Sequence, residues 1–204
     1  MQSYLKSLAT VGIVAFFLCP NLRGNAQSNP SGLFQRLQID SSTDDAETQL
    51  LRNAKTDPET RTYLALHLPE LINKGPKNNA RPWVNAVKLA GELKIPEAVP
   101  SLIPWIGQGG DPSEPIPLTM SSYLRLEMFP AAKSLAQIGN PSVPAVTKVL
   151  DKGSRDEKYF AVYILMQIDS PDAMRALETH LQKESDPRIK DLIESVLSSG
   201  SKQQ

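Results

Sequence analysis

Cysteine is nearly absent from this chain. The one copy, Cys19, sits in an apolar run close to the start. The part that follows therefore has no disulfide, no thiolate to hold zinc and no thiol nucleophile. Histidine is almost as scarce, with His67 and His180 only. Charge of one sign is missing too: 22 basic side chains face 22 acidic ones, with no basic run. Such a balance leaves no electrostatic footprint for nucleic acid. No G-x-S-x-G, HExxH or EF-hand pattern occurs. Gly107-Gln108-Gly109-Gly110 follows a helical stretch instead of a strand and lacks the Lys-Ser/Thr of a phosphate loop. The expectation is a protein that is not an enzyme, with no cofactor and no metal.

Long apolar runs are lacking as well, with one exception. Leu8 to Cys19 is uncharged and apolar, follows Lys6, and is broken by Pro20. At 12 residues it is short of the roughly 20 that a transmembrane helix needs. Gly24 and Ala26 then place small residues at positions −3 and −1 of a cleavage point, which is the layout of a signal peptide. Residues 1–26 are expected to direct export to a periplasmic or secreted location, with no stable membrane span after cleavage. Intact-mass analysis of the exported protein should then find Gln27 at its N-terminus.

What the chain does contain is helix punctuation. With 40 % hydrophobic residues it can bury a core. No strand-like alternation of useful length appears. Asp57-Pro58, Asn140-Pro141, Ser170-Pro171 and Asp186-Pro187 each put a capping side chain before a proline. Proline lacks the N–H that would go unpaired at a helix start. Ser154 and Glu157 have capping-box spacing. Residues 27–42 read as a flexible lead-in, 43–54 and 58–73 as a first pair of helices, 186–198 as a closing helix, and 199–204 as a disordered tail.

The helical segments repeat. AVKLAGELKIPEAVPSLIPWI (86–106) matches AVYILMQIDSPDAMRALETHL (161–181) at a constant offset, pairing Ala86 with Ala161, Val87 with Val162, Pro96 with Pro171 and Leu102 with Leu177. AAKSLAQIGNPSVPAVTKVL (131–150) has the same form. Each unit is a helix, a tight turn, and a proline opening a second helix. One hairpin of this kind cannot bury its apolar face alone, whereas stacked neighbours can. Gln137-Ile138-Gly139-Asn140-Pro141 with Val143-Pro144 resembles the HEAT-like repeat of phycobilisome-lyase type, in which a helix ends in "I-G" before "(D/N)-P". The third unit departs from that pattern, with Asp169-Ser170 in place of Gly-Asn and Arg175 in place of the second proline. The resemblance covers about residues 80–198. It implies an all-α, right-handed superhelical solenoid of stacked hairpins, HEAT/armadillo-like, over residues 43–198.

Such repeats mostly serve as binding scaffolds. The leading expectation is an interaction module for an unidentified protein or peptide. The alternative is a lyase-like or chromophore- or small-ligand-handling protein that uses the segment 107–120 as a loop. That segment, GQGGDPSEPIPLTM, carries the excess by which the interval Pro96–Pro141 exceeds Pro141–Pro171. Its glycines and prolines exclude regular helix. Ile116 and Leu118 are its apolar members. Together with Pro104, Trp105, Lys148 and Thr179 on the second helices, they form the candidate partner surface. Trp105 and Trp83 also suit packing between repeats. His67 and Glu70 have i, i+3 spacing for a metal pair, although Pro69 argues against helix there. His180 aligns with Trp105 and Val149, as a half-buried interface residue.

Overall fold

A capping oxygen followed by proline opens several of the helices. The computed structural model describes residues 29–76, 80–110 and 126–200. In it, Asp57 accepts from the backbone N–H groups of Glu59 and Thr60, and Pro58 begins a helix. Ser170 does the same for Ala173 ahead of Pro171, and Asp186 for Arg188. Ser154 and Glu157 form the reciprocal capping box. Each such bond satisfies a donor that a helix start leaves unpaired. Asn140 differs from expectation. It lies within a 3-10 turn, Asn140–Ser142, and its side chain caps nothing.

No strand occurs among the described residues, which hold ten α-helices. They are α1 (Pro30–Leu37), α2 (Thr43–Thr56), α3 (Pro58–Asn73), α4 (Arg81–Glu92), α5 (Val99–Leu102), α6 (Pro130–Ile138), α7 (Val143–Lys152), α8 (Arg155–Ile168), α9 (Pro171–Leu181) and α10 (Pro187–Gly200). Contacts run along two series. Each of α2, α4, α6, α8 and α10 packs on the next of that set; α1 packs on α3, α3 on α5, and α7 on α9. α8 touches α6, α7, α9 and α10, and so Tyr159 to Leu165 are buried without interruption. A helix buried on all sides must be apolar on all sides.

Polar side chains tie the series together. Thr43 Oγ1 donates to the Leu37 carbonyl at 2.8 Å, Asn85 Nδ2 to Asp44 Oδ1 at 2.8 Å, and Ser134 Oγ to the Val87 carbonyl at 2.8 Å. The α4–α6 contact is close. A Cβ added at Gly91 would stand 2.8 Å from the Ser134 Cα.

Three of the turns between paired helices share one backbone feature, which the α2–α3 turn at Asp57, with φ −118°, lacks. Lys94, Gly139 and Asp169 each stand two residues before the proline of their unit, and each has positive φ, at 50°, 82° and 48°. Gly139 also has ψ −139°, a region essentially reserved for glycine. Gly139→Ala should therefore cost about 1–3 kcal/mol in urea denaturation, although a Cβ there meets nothing within 4 Å. Asp169 is in the left-handed helical region, which aspartate tolerates better than most residues.

Besides Asn140, the secondary structure departs from the sequence expectations in four places. The lead-in over 27–42 is not simply flexible: Pro30–Leu37 is helical and Leu33 and Leu37 are fully buried. Its apolar spacing covers barely two turns, too few to stand out in sequence. Pro69 lies inside α3, which continues past it to Asn73. The second helix of the first unit is broken into 3-10 turn, α5 and a second 3-10 turn, Ile103–Trp105. Pro104 has no N–H with which to bond the Pro100 carbonyl, so the α-helical ladder stops there. The last helix runs to Gly200, beyond the expected tail boundary at 199. The signal-peptide segment 1–26, residues 111–120 with Ile116 and Leu118, and residues 201–204 lie outside the described residues. Among the described residues no helix is long and apolar enough to cross a membrane.

Candidate interaction surface

The second helices bury one residue and expose another at the same place in each unit. Leu102, Val146 and Leu177 are fully buried. Two residues on, about 200° around a helix, Pro104, Lys148 and Thr179 are all exposed. The three expected surface residues thus share one register position. The next position is held by Trp105 and Val149, both half-buried, and by His180, which is buried rather than half-buried as its alignment with them suggested. Trp105 is half-buried and packs edge-on to Trp83, with ring centroids 5.9 Å apart. Trp83 in turn donates from Nε1 to the Ile72 carbonyl at 3.1 Å. A Cβ at Gly75 would fall 2.4 Å from the Trp105 ring. Trp105 is therefore engaged in packing between helices, the second of the two roles its sequence position suggests.

Two clefts line this ridge. One, of about 400 Å³, lies between α5 and α7 and includes Pro100, Ile103, Ala145 and Lys148. The other, of about 250 Å³, lies between α7 and α9 and includes Thr147, Asp151, Arg175 and Thr179.

Beneath the second cleft is a network that sequence reading missed. His180 Nδ1 is 2.9 Å from Asp151 Oδ1 and its Nε2 is 2.7 Å from Glu184 Oε2. Both bonds are complete only when both ring nitrogens carry a proton. Lys158 Nζ reaches Glu184 Oε2 at 2.8 Å, and Lys183 Nζ reaches Asp151 Oδ1 at 2.8 Å. Glu184 Oε1 accepts from the N–H groups of Ser185 and Asp186. Burial raises the Glu184 pKa, but these backbone bonds together with Lys158 and His180 outweigh it and bring the carboxyl to about 2. Lys183, ahead of His180, holds Asp151 below its ordinary value against the cost of burial. The signal was the i, i+4 pair His180 and Glu184; Lys158, 26 positions earlier, has no local cue.

Comparison with protein-family models, curated proteins and solved structures found no match. Both nitrogens of His180 face carboxylates and the ring is buried, so it does not present a free base to the cleft. His67 stacks on Tyr63 at 4.1 Å, while Glu70 pairs with Lys74 at 3.4 Å. Among the described residues no group of three His, Cys, Asp or Glu side chains is placed to hold a metal ion.

Proposed function

We propose that this chain is a non-enzymatic, extracytoplasmic interaction module: a short right-handed solenoid of HEAT-like hairpins that holds a protein or peptide along its second-helix ridge. The observation that carries the reading is the repeated register, with Leu102, Val146 and Leu177 buried and Pro104, Lys148 and Thr179 exposed. Equivalent positions exposed in successive units form a row, and a row suits an extended partner better than a point-like substrate. The alternating helix contacts and the positive φ shared by the turns before Pro96, Pro141 and Pro171 support the hairpin stack. Export rests on the residue pattern of 1–26.

Partner capture from the exported fraction tests the reading. The exported protein should retain a discrete partner that mass spectrometry identifies. Pro104→Glu combined with Thr179→Arg should reduce that capture by about tenfold, a loss of roughly 1.4 kcal/mol, with melting unchanged. Equal capture by the variant would take the ridge out of the binding surface.

A further inference from the structure

The cleft between α5 and α7 is lined by apolar side chains and by two lysines. Its floor is apolar, built from the half-buried Ile103, Ala145 and Val149 with Pro100 at one edge. Lys148 and Lys152 stand at its mouth, one helical turn apart on α7, and both are exposed. Neither has an acidic partner among the described residues. The acid that also lines the cleft, Glu157, accepts through Oε2 from the Ser154 N–H at 2.7 Å and from Ser154 Oγ at 2.8 Å rather than pairing with either lysine, so the two lysines leave the lining with a net positive charge. The neighbouring α7–α9 cleft is different in kind. There Arg175 pairs with Asp172 at 3.1 Å and Lys183 with Asp151 at 2.8 Å, so its charges are neutralised within the fold.

Two uncommitted ammonium groups above an apolar floor favour a ligand that brings carboxylates and an apolar side chain together. The chain's balanced charge gives no continuing basic stripe for a polyanion to follow. We propose that the α5–α7 cleft binds an acidic segment of a partner protein in extended form, with an apolar side chain on Ile103 and Val149 and carboxylates at Lys148 and Lys152. The lysine stems are about 6 Å apart along the helix axis. An extended chain advances about 3.3 Å per residue, so carboxylates two residues apart match that spacing. The proposal rests on the interaction-module reading and gives it a ligand class.

A randomised peptide library panned on the full-length exported protein tests it, with the enriched peptides then made in fluorescent form and titrated by anisotropy. The enriched peptides should be acidic and contain leucine, isoleucine, valine or phenylalanine. Lys148→Glu combined with Lys152→Glu should weaken them by at least about tenfold, and added salt should weaken them further. Lys148→Arg combined with Lys152→Arg should retain most of the affinity. Both lysines are exposed, so unchanged melting of the variants separates lost binding from lost folding. Basic or uncharged consensus peptides, or acidic ones indifferent to the charge reversal, would overturn the proposal. So would self-association of the protein that the charge reversal abolishes, which would assign the cleft to a second copy. Peptides that ignore the lysines but are lost with Thr179→Arg would leave the interaction module standing and remove only this cleft. No partner captured by the unaltered protein, together with no peptide enriched, would remove both.

Discussion

Glu184→Gln should destabilise the protein by about 2–3 kcal/mol at neutral pH. The Glu184 side chain is 2 % exposed and anchors Lys158, His180 and two backbone N–H groups at once. Its carboxyl, brought from 4.5 to about 2, is ionised far more readily in the folded state than in the unfolded chain. Each unit of depression corresponds to about 1.4 kcal/mol, which places the linkage near 3 kcal/mol. The sign follows from the depressed value. The stabilisation is fully present above the unfolded value of 4.5 and is lost as pH falls through that value toward about 2. Urea denaturation followed by circular dichroism across that window checks this. The wild-type protein should lose stability steeply, the variant should lose less, and the two should converge at the acid end. Asp151, also depressed by Lys183 and His180, keeps some acid slope in the variant. Parallel curves would show that Glu184 does not carry the effect.

Leu102→Ala and Leu177→Ala should each cost about 2–4 kcal/mol, through lost transfer energy and the cavity left behind, with Val146→Ala at the low end or below. All three side chains are fully buried. Two residues further on, alanine at Pro104, Lys148 or Thr179 should change stability by no more than about 0.5 kcal/mol. A large penalty at the first set beside a negligible one at the second is the energetic form of the shared register. If all six are tolerated alike in denaturant titrations, the register is wrong.

That register was legible because it rests on local spacing. Apolar residues at helical intervals and prolines behind capping side chains mark Thr43–Thr56, Pro58–Asn73 and Pro187–Gly200 to within a few residues. The alignment of Leu102, Val146 and Leu177 needs only the repeated proline as a reference point. What stayed hidden depends on residues distant in sequence or on backbone conformation. Lys94 and Asp169 take the positive φ of the turn without being glycine, so the shared turn geometry is invisible in residue type. Pro69 inside α3 looks like a breaker, yet Leu64, Leu68 and Ile72 on the same helix are fully buried, and that packing holds the helix through it. The two-sided clamp on His180 needs Asp151 from α7 and Glu184 from beyond α9, which only the packed helices bring together.

Photocrosslinking tests the central claim most directly, because it reads contact rather than stability. A photoreactive residue would be placed at Pro104, Lys148 or Thr179 on the second-helix ridge, and at Lys88 or Glu194, exposed positions on α4 and α10. The account predicts one and the same partner adduct from the three ridge positions and none from Lys88 or Glu194. Adducts arising from Lys88 or Glu194 but not from the ridge would contradict it.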